Sequence, residues 1–198
     1  MARPAPEYGA AAGPDGPAER EPRVELHGPR LTLRTTVETD RQAIVAIQAT
    51  PEVRRRWRGD DLDAEFTERL DRDDEVEPLT VLDAGGRIVG YLQYAQEDDP
   101  DYRHASIDLF VDPANHRLGY ATEAITMVVD HLFADLGHHR ITIDPAADNE
   151  AAIACYAGVG FRPVGVLRDY ERQGDGSWAD GLLMELLVTD PRPGRPGR

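Results

Sequence analysis

The chain has 198 residues and a formal net charge of −15, and all 22 of its basic residues are Arg. The absence of Lys excludes a P-loop and Schiff-base chemistry, and a chain this acidic repels nucleic acid and anionic membrane while attracting polycations. A single cysteine, Cys155, leaves neither an internal disulfide framework nor a Cys-rich zinc site, and no apolar run reaches the roughly 18 residues of a membrane helix.

The expectation is a soluble, cytoplasmic protein with one domain. Residues 1–23 are rich in Pro, Ala and Gly, lack a signal-peptide layout and have little to bury, so they read as a flexible extension; 191–198 (PRPGRPGR) reads as a flexible tail. The acidic excess therefore sits in the 24–190 body.

Within that body, Leu31-Thr32-Leu33-Arg34-Thr35 alternates apolar and polar, as a strand does. Thr39 or Asp40 caps a helix that carries Ala43, Ile44 and Ile47 and runs to Thr50, ahead of Pro51. A shorter helix is predicted over Leu62–Leu70. Leu79–Leu82, Ile88–Tyr94 and Ala105–Val111 read as strands, the first two joined by the turn Asp83-Ala84-Gly85-Gly86. A helix follows from about Ala121 to Asp135, with Ala124, Ile125, Val128, Val129 and Leu132 on one face. Strand Ile141–Ile143, helix Glu150–Ala157 and strands Val164–Arg168 and Leu182–Val188 complete the predicted order β-α-α-β-β-β-α-β-α-β-β. This is an α/β class with a mixed, twisted sheet flanked by helices: an antiparallel beginning, then a crossover helix.

Two segments carry chemistry. In Asp112-Pro-Ala-Asn-His-Arg-Leu-Gly119-Tyr-Ala121-Thr-Glu-Ala124 a strand ends and a helix begins across a turn of small residues. Gly119 and Ala121 let a ligand approach the backbone, and the unpaired N–H groups of the first helical turn form an anion site. An ordinary strand-to-helix turn using Gly for a positive φ accounts for the same residues. In the second segment Asp144 ends a strand, Asn149 caps a helix, Tyr156 lies seven residues on along the same face, and Gly160-Phe161 closes the helix. Taken alone, Asn149 is a cap and Tyr156 the edge of a core.

Together the two segments resemble the GCN5-related N-acetyltransferase (GNAT) superfamily over about residues 29–190. Its pyrophosphate loop is an Arg/Gln-x-x-Gly-x-Gly/Ala pattern; here it reads His116-Arg117-Leu118-Gly119-Tyr120-Ala121, then Thr122, with His116 in place of the usual Arg or Gln. The resemblance implies a GNAT fold and acetyl-CoA as co-substrate. It would be held by this loop, by Leu109, Phe110 and Val111 of the preceding strand, and by Asn149 and Ala152 along the pantetheine arm. Tyr156 would protonate the departing thiolate.

Asp144-Pro-x-x-x-Asn149-x-x-Ala-Ile-x-Cys155-Tyr156, the Ile107-Asp108 pair and the segment from Pro51 through Trp57 to Gly59 are similar to the aminoglycoside 6′-N-acetyltransferases. That likeness implies a polycationic acceptor and a role in antibiotic resistance. A protonated amine needs a carboxylate to take its proton, and Asp108 is the candidate, with Asp144 as the second carboxylate. Trp57 is expected to line the acceptor site. Asp98, Asp99 and Asp101, in the loop before the Asp108 strand, are expected beside its mouth, where they would attract cations. The acidic run at 60–77 reads as solvated surface, Cys155 as a core thiol, and His131, His138 and His139 lack metal-ligand spacing, so no metal is expected. Two other readings stand: acetylation of protein N-termini or another small amine, and a non-catalytic acyl-CoA-binding module. Monomer and homodimer both remain open.

Overall fold

The structure, a computed structural model, describes residues 24–57, 61–71 and 76–193. The expected extension at 1–23, Gly59, the parts of the acidic run at 60 and 72–75, and tail residues 194–198 lie outside the described residues.

Strands β1 (Glu25–His27), β2 (Leu31–Thr35), β3 (Val76–Asp83), β4 (Ile88–Glu97) and β5 (His104–Val111) form an antiparallel series. β6 (Arg140–Ile143) joins β5 in parallel, and the later strands β7 (Arg162–Arg172) and β8 (Trp178–Leu187) complete one sheet of order β1-β2-β3-β4-β5-β6-β8-β7. The α/β class and mixed sheet are as expected. The β7–β8 hairpin is longer than its apolar residues predict. β7 is an edge strand whose residues are mostly exposed, so pairing rather than burial defines its length. β1 is also additional, and three residues are too few to display a period.

Helices α1 (Arg41–Gln48), α2 (Pro51–Arg54) and α3 (Leu62–Asp71) pack with Tyr91 and Phe110 through Ile44, Ile47, Val53 and Phe66. Helices α4 (Tyr120–Ala134) and α5 (Glu150–Val159) close a second, larger core. All five residues predicted for the inner face of α4 are buried there. Side chains alternate across a strand, so β5 feeds both cores: Ile107 enters the α4/α5 core and Phe110 the α1–α3 core.

Asp40 does not cap α1 with its side chain, as the sequence suggests. Its carboxylate is buried and accepts two bonds from Arg34, at 2.7 Å each, one from the Thr80 hydroxyl at 2.7 Å and one from the Val37 N–H at 3.1 Å. It thereby ties β2, β3 and the start of α1 together.

The feature that makes room for a ligand is the parting of β5 and β6. They pair only at Ala105↔Ile141 and Ser106↔Thr142. Beyond this point β6 follows β8, through Ile143↔Met184 and the isolated bridge Ala146↔Gly181. β5 stays with β4 to Gly90↔Val111, where a Cβ on Gly90 would sit 2.6 Å from the Phe110 carbonyl oxygen, so only glycine permits this approach.

Candidate active site

Between the parted strands lies a cleft of about 690 Å³. It opens at the carboxyl ends of β5 and β6, where parallel strands commonly bind ligands. The Asp112 N–H bonds the Val89 carbonyl at 2.8 Å, so by alternation the backbone groups of Leu109 and Val111 face the opened edge. Phe110 contributes its ring instead, stacked on Tyr91 at 5.5 Å and edge-on to Trp57 at 5.0 Å.

One end of the cleft is suited to an anion. Gly119 sits at φ +79° and starts α4 without a side-chain cap, which leaves the N–H groups of the first turn available. Arg117, at φ +61°, and the backbone of Tyr120, Ala121 and Thr122 line this end. The turn is clamped from outside. Arg30 Nη1 donates to the Leu118 carbonyl at 2.7 Å and Nε to Glu123 Oε2 at 2.7 Å, while the Arg30 and Leu31 N–H groups reach Glu123 Oε1 at 2.7 and 3.1 Å. The Leu118 side chain is exposed and does not line the cleft. His116 borders the cleft but turns its ring back: Nε2 lies 3.0 Å from the Val111 carbonyl, an acceptor, so this nitrogen carries the proton. Asn149 Oδ1 accepts the Ala152 N–H at 3.3 Å and caps α5, which frees its amide N–H groups for the cleft. Small residues, Ala151 and Ala152, line the channel beside them. An uncapped turn, an open strand edge and a narrow small-residue channel together fit an acyl-CoA pyrophosphate and its arm.

At the other end the structure brings Asp108, Asp144, Tyr156 and Trp57 together. Asp108 lines the cleft and its exposed surface faces it. Burial there and the neighbouring charge of Asp144 push its carboxyl up to about 7, against a bond from the Leu109 N–H at 3.0 Å. The Tyr156 hydroxyl is buried, and burial followed by the charges of Asp108, Cys155 and Asp144 keeps it protonated across the working range.

Asp98, Asp99 and Asp101 are not brought to the cleft. Their loop precedes β5 and lies at the opposite end of that strand, folded on itself by the Asp101 N–H on Asp99 Oδ1 at 2.9 Å and the Tyr102 N–H on the Asp99 carbonyl at 2.9 Å. The acidic lining comes instead from Glu52, Glu171 and Asp180, and Tyr170 completes that wall. None of these four is assigned to the site from the sequence: Glu52 lies in the Pro51–Gly59 segment, where Trp57 alone is singled out, and the β7–β8 hairpin that supplies the other three is polar and exposed. Cys155, expected in the core, packs against it but also borders the cleft, with its sulfur 3.3 Å from Thr122 Oγ1.

The comparisons with known proteins agree with this geometry. The model of the acetyltransferase (GNAT) domain matches residues 30–162. The uncharacterized N-acetyltransferase YoaA of Bacillus subtilis is 30% identical over 161 residues, covering 75% of this chain and 88% of YoaA. The N-alpha-acetyltransferase RimI of Mycobacterium tuberculosis is 32% identical over 109 residues, 54% of this chain and 65% of RimI. Among solved structures, Mycobacterium smegmatis RimJ in complex with CoA-disulfide superposes with a TM-score of 0.72 at 24% identity, covering 85% of this chain and 90% of RimJ. Spermidine N-acetyltransferase from Vibrio cholerae, in complex with CoA and spermine, gives 0.71 at 23%, covering 81% of this chain and 96% of that one. With the parted strands, the uncapped turn and the family match in agreement, the chain belongs to the GNAT acetyltransferase family and is an acetyl-CoA-dependent N-acetyltransferase.

Proposed function

We propose that the protein acetylates a primary amine on a small polycation, with the 6′-amino group of an aminoglycoside as the leading acceptor. The observation that carries this reading is the pair of carboxylates, Asp108 and Asp144, facing one cleft, with Asp108 raised to about 7. The aminoglycoside assignment itself rests on the Asp144–Tyr156 run and the Ile107-Asp108 pair.

Bound acetyl-CoA supplies the thioester carbonyl. In the reaction Asp108 takes one proton from the acceptor's ammonium group, leaving a neutral amine. As the N–C bond forms and the C–S bond breaks, the Tyr156 O–H gives its proton to the departing sulfur. The surplus proton on the new amide nitrogen returns to the phenolate, so the products are an acetamide and free coenzyme A. The Val111 N–H, open at the strand edge, would polarise the carbonyl. Asp144 pairs with a neighbouring ammonium group, and Trp57 walls the acceptor side. The catalytic domain in this reading is 24–190, and the cytoplasm its compartment; among the described residues no helix is long and apolar enough to cross a membrane.

A second reading, transfer to a polyamine or a protein N-terminus, is favoured by what the relatives are named for. Release of coenzyme A with kanamycin, and none with a derivative lacking the 6′ amine, supports the aminoglycoside reading. Release with spermidine or an N-terminal peptide, but not kanamycin, moves the acceptor class accordingly. Turnover with no amine at all, in protein that acetyl-CoA stabilises thermally, contradicts catalysis and leaves an acyl-CoA-binding module.

The clamp on the pyrophosphate turn makes a separate prediction. Arg30→Ala removes charge-assisted bonds from Leu118 and Glu123 without touching the acceptor side. It is expected to raise KM for acetyl-CoA about tenfold, with KM for the amine unchanged. Initial rates with each substrate varied in turn check it, and an equal rise in both constants would show that the clamp does not act on one substrate.

A further inference from the structure

Arg69, on α3, is buried and stands behind the cleft rather than in its lining. Its guanidinium donates to Gln48 Oε1 of α1 at 3.0 Å and to Glu65 Oε2, one turn back on α3, at 3.3 Å. These bonds set it over two rings, with its carbon 5.6 Å from the Trp57 centroid and 5.4 Å from that of Tyr91. Both distances lie within the range of a cation–π contact. Trp57 lies beyond the end of α2, so its indole takes its place from contacts with other elements: Phe110 at 5.0 Å, Tyr91 at 5.8 Å and Arg69. The proposed base shares this face. Tyr91 pairs with Phe110 across β4 and β5, and Gln93 with Asp108, so all four lie on the side of the sheet where α1–α3 pack. In keeping with that placement, burial and Asp144 raise the Asp108 carboxyl, and the Leu109 N–H and the Arg69 charge draw it back.

We propose that Arg69 is a positioning residue for the acceptor: its guanidinium, stacked on Trp57 and Tyr91, holds the Trp57 indole as the acceptor-side wall of the cleft. This rests on the acetyl-transfer reading above and adds to it a residue that touches neither substrate. The planar, delocalised guanidinium is what the place requires, since it lies flat on a ring while its edge donates to Gln48 and Glu65. A lysine carries the same charge without that plane.

The experiment compares the native chain, Arg69→Gln and Arg69→Lys. Initial rates are measured across pH with whichever of kanamycin, spermidine or an N-terminal peptide the native chain turns over. Emission is read in a Trp178→Phe background, which leaves Trp57 as the one tryptophan. Arg69→Gln is expected to raise KM for the amine about tenfold, to leave KM for acetyl-CoA unchanged and to shift Trp57 emission to the red. It should also move the rising limb of kcat/KM to higher pH, because a charge that favours the Asp108 carboxylate is gone. Arg69→Lys should return that limb to its native position while KM for the amine stays raised. A native KM for the amine or a native Trp57 emission in Arg69→Gln overturns the proposal, as does an equal rise in both KM values, which marks a general loss of fold. Turnover by the native chain with none of the three acceptors contradicts the acetyl-transfer reading. A red shift in Arg69→Gln then still places Arg69 behind the indole, and an unmoved emission removes that contact too.

Discussion

Asp108→Asn is expected to lower kcat/KM by about 10²–10⁴-fold, the usual worth of a general base, and at the same time to make the protein more stable above about pH 7. The two effects have one cause. Asparagine matches aspartate in shape and still accepts the Leu109 N–H, so the fold around β5 is preserved. The variant cannot take a proton from an ammonium group. Nor does it carry the charge that the cleft and Asp144 oppose. Because the folded-state value is raised, to about 7, the native chain binds this proton more tightly than the unfolded chain does. The contribution to stability is therefore fully present below the unfolded value, near pH 4, and is lost as pH rises through about 7. Asp108→Asn should remove that decline. Thermal unfolding at pH 5 and pH 8.5, paired with initial rates, reads both effects. A variant that loses stability together with activity would mark Asp108 as a structural residue.

The largest effect on stability is expected at Asp40. Asp40→Ala leaves the Arg34 guanidinium, the Thr80 hydroxyl and the Val37 N–H without their shared acceptor, and breaking one partner of a buried pair costs about 3–5 kcal/mol. Burial opposes the Asp40 charge, but the bonds from Arg34, Thr80 and Val37 outweigh it and hold the carboxyl below its ordinary value. A depressed carboxyl adds stability above the unfolded value, and this is lost as pH falls below about 4 through the folded one. The native chain should thus weaken in acid more steeply than Asp40→Ala. Urea unfolding at pH 7 and pH 3.5 tests this; equal acid sensitivity would place the stabilising charge elsewhere.

What the sequence disclosed follows from where each residue sits. β2, β5 and α4 are half buried, so their apolar residues recur with the period of the element, and the α4 face from Ala124 to Leu132 was readable to the residue. Gly119 was readable because a turn that starts a helix at positive φ needs glycine. The acidic loop at 97–101 shows the limit of adjacency along the chain. It is close to Asp108 in sequence, but a loop preceding a strand lies at its amino end, and the cleft opens at the carboxyl end. Tyr170 and Asp180 enter through a change of register between two strands, which leaves no local pattern. Asp40 finds Arg34 across a turn and Thr80 forty residues away, so a capping rule, which is local, assigned it the wrong partner.

The pH dependence of kcat/KM, on the native chain and on Asp108→Asn with one acceptor, tests the account most directly. With Asp108 as the base, the native value should climb about tenfold per pH unit up to about 7 and then level off, and the variant should lack that limb. A limb that persists unchanged in Asp108→Asn, or a native profile flat from pH 5.5 to 8, would contradict it.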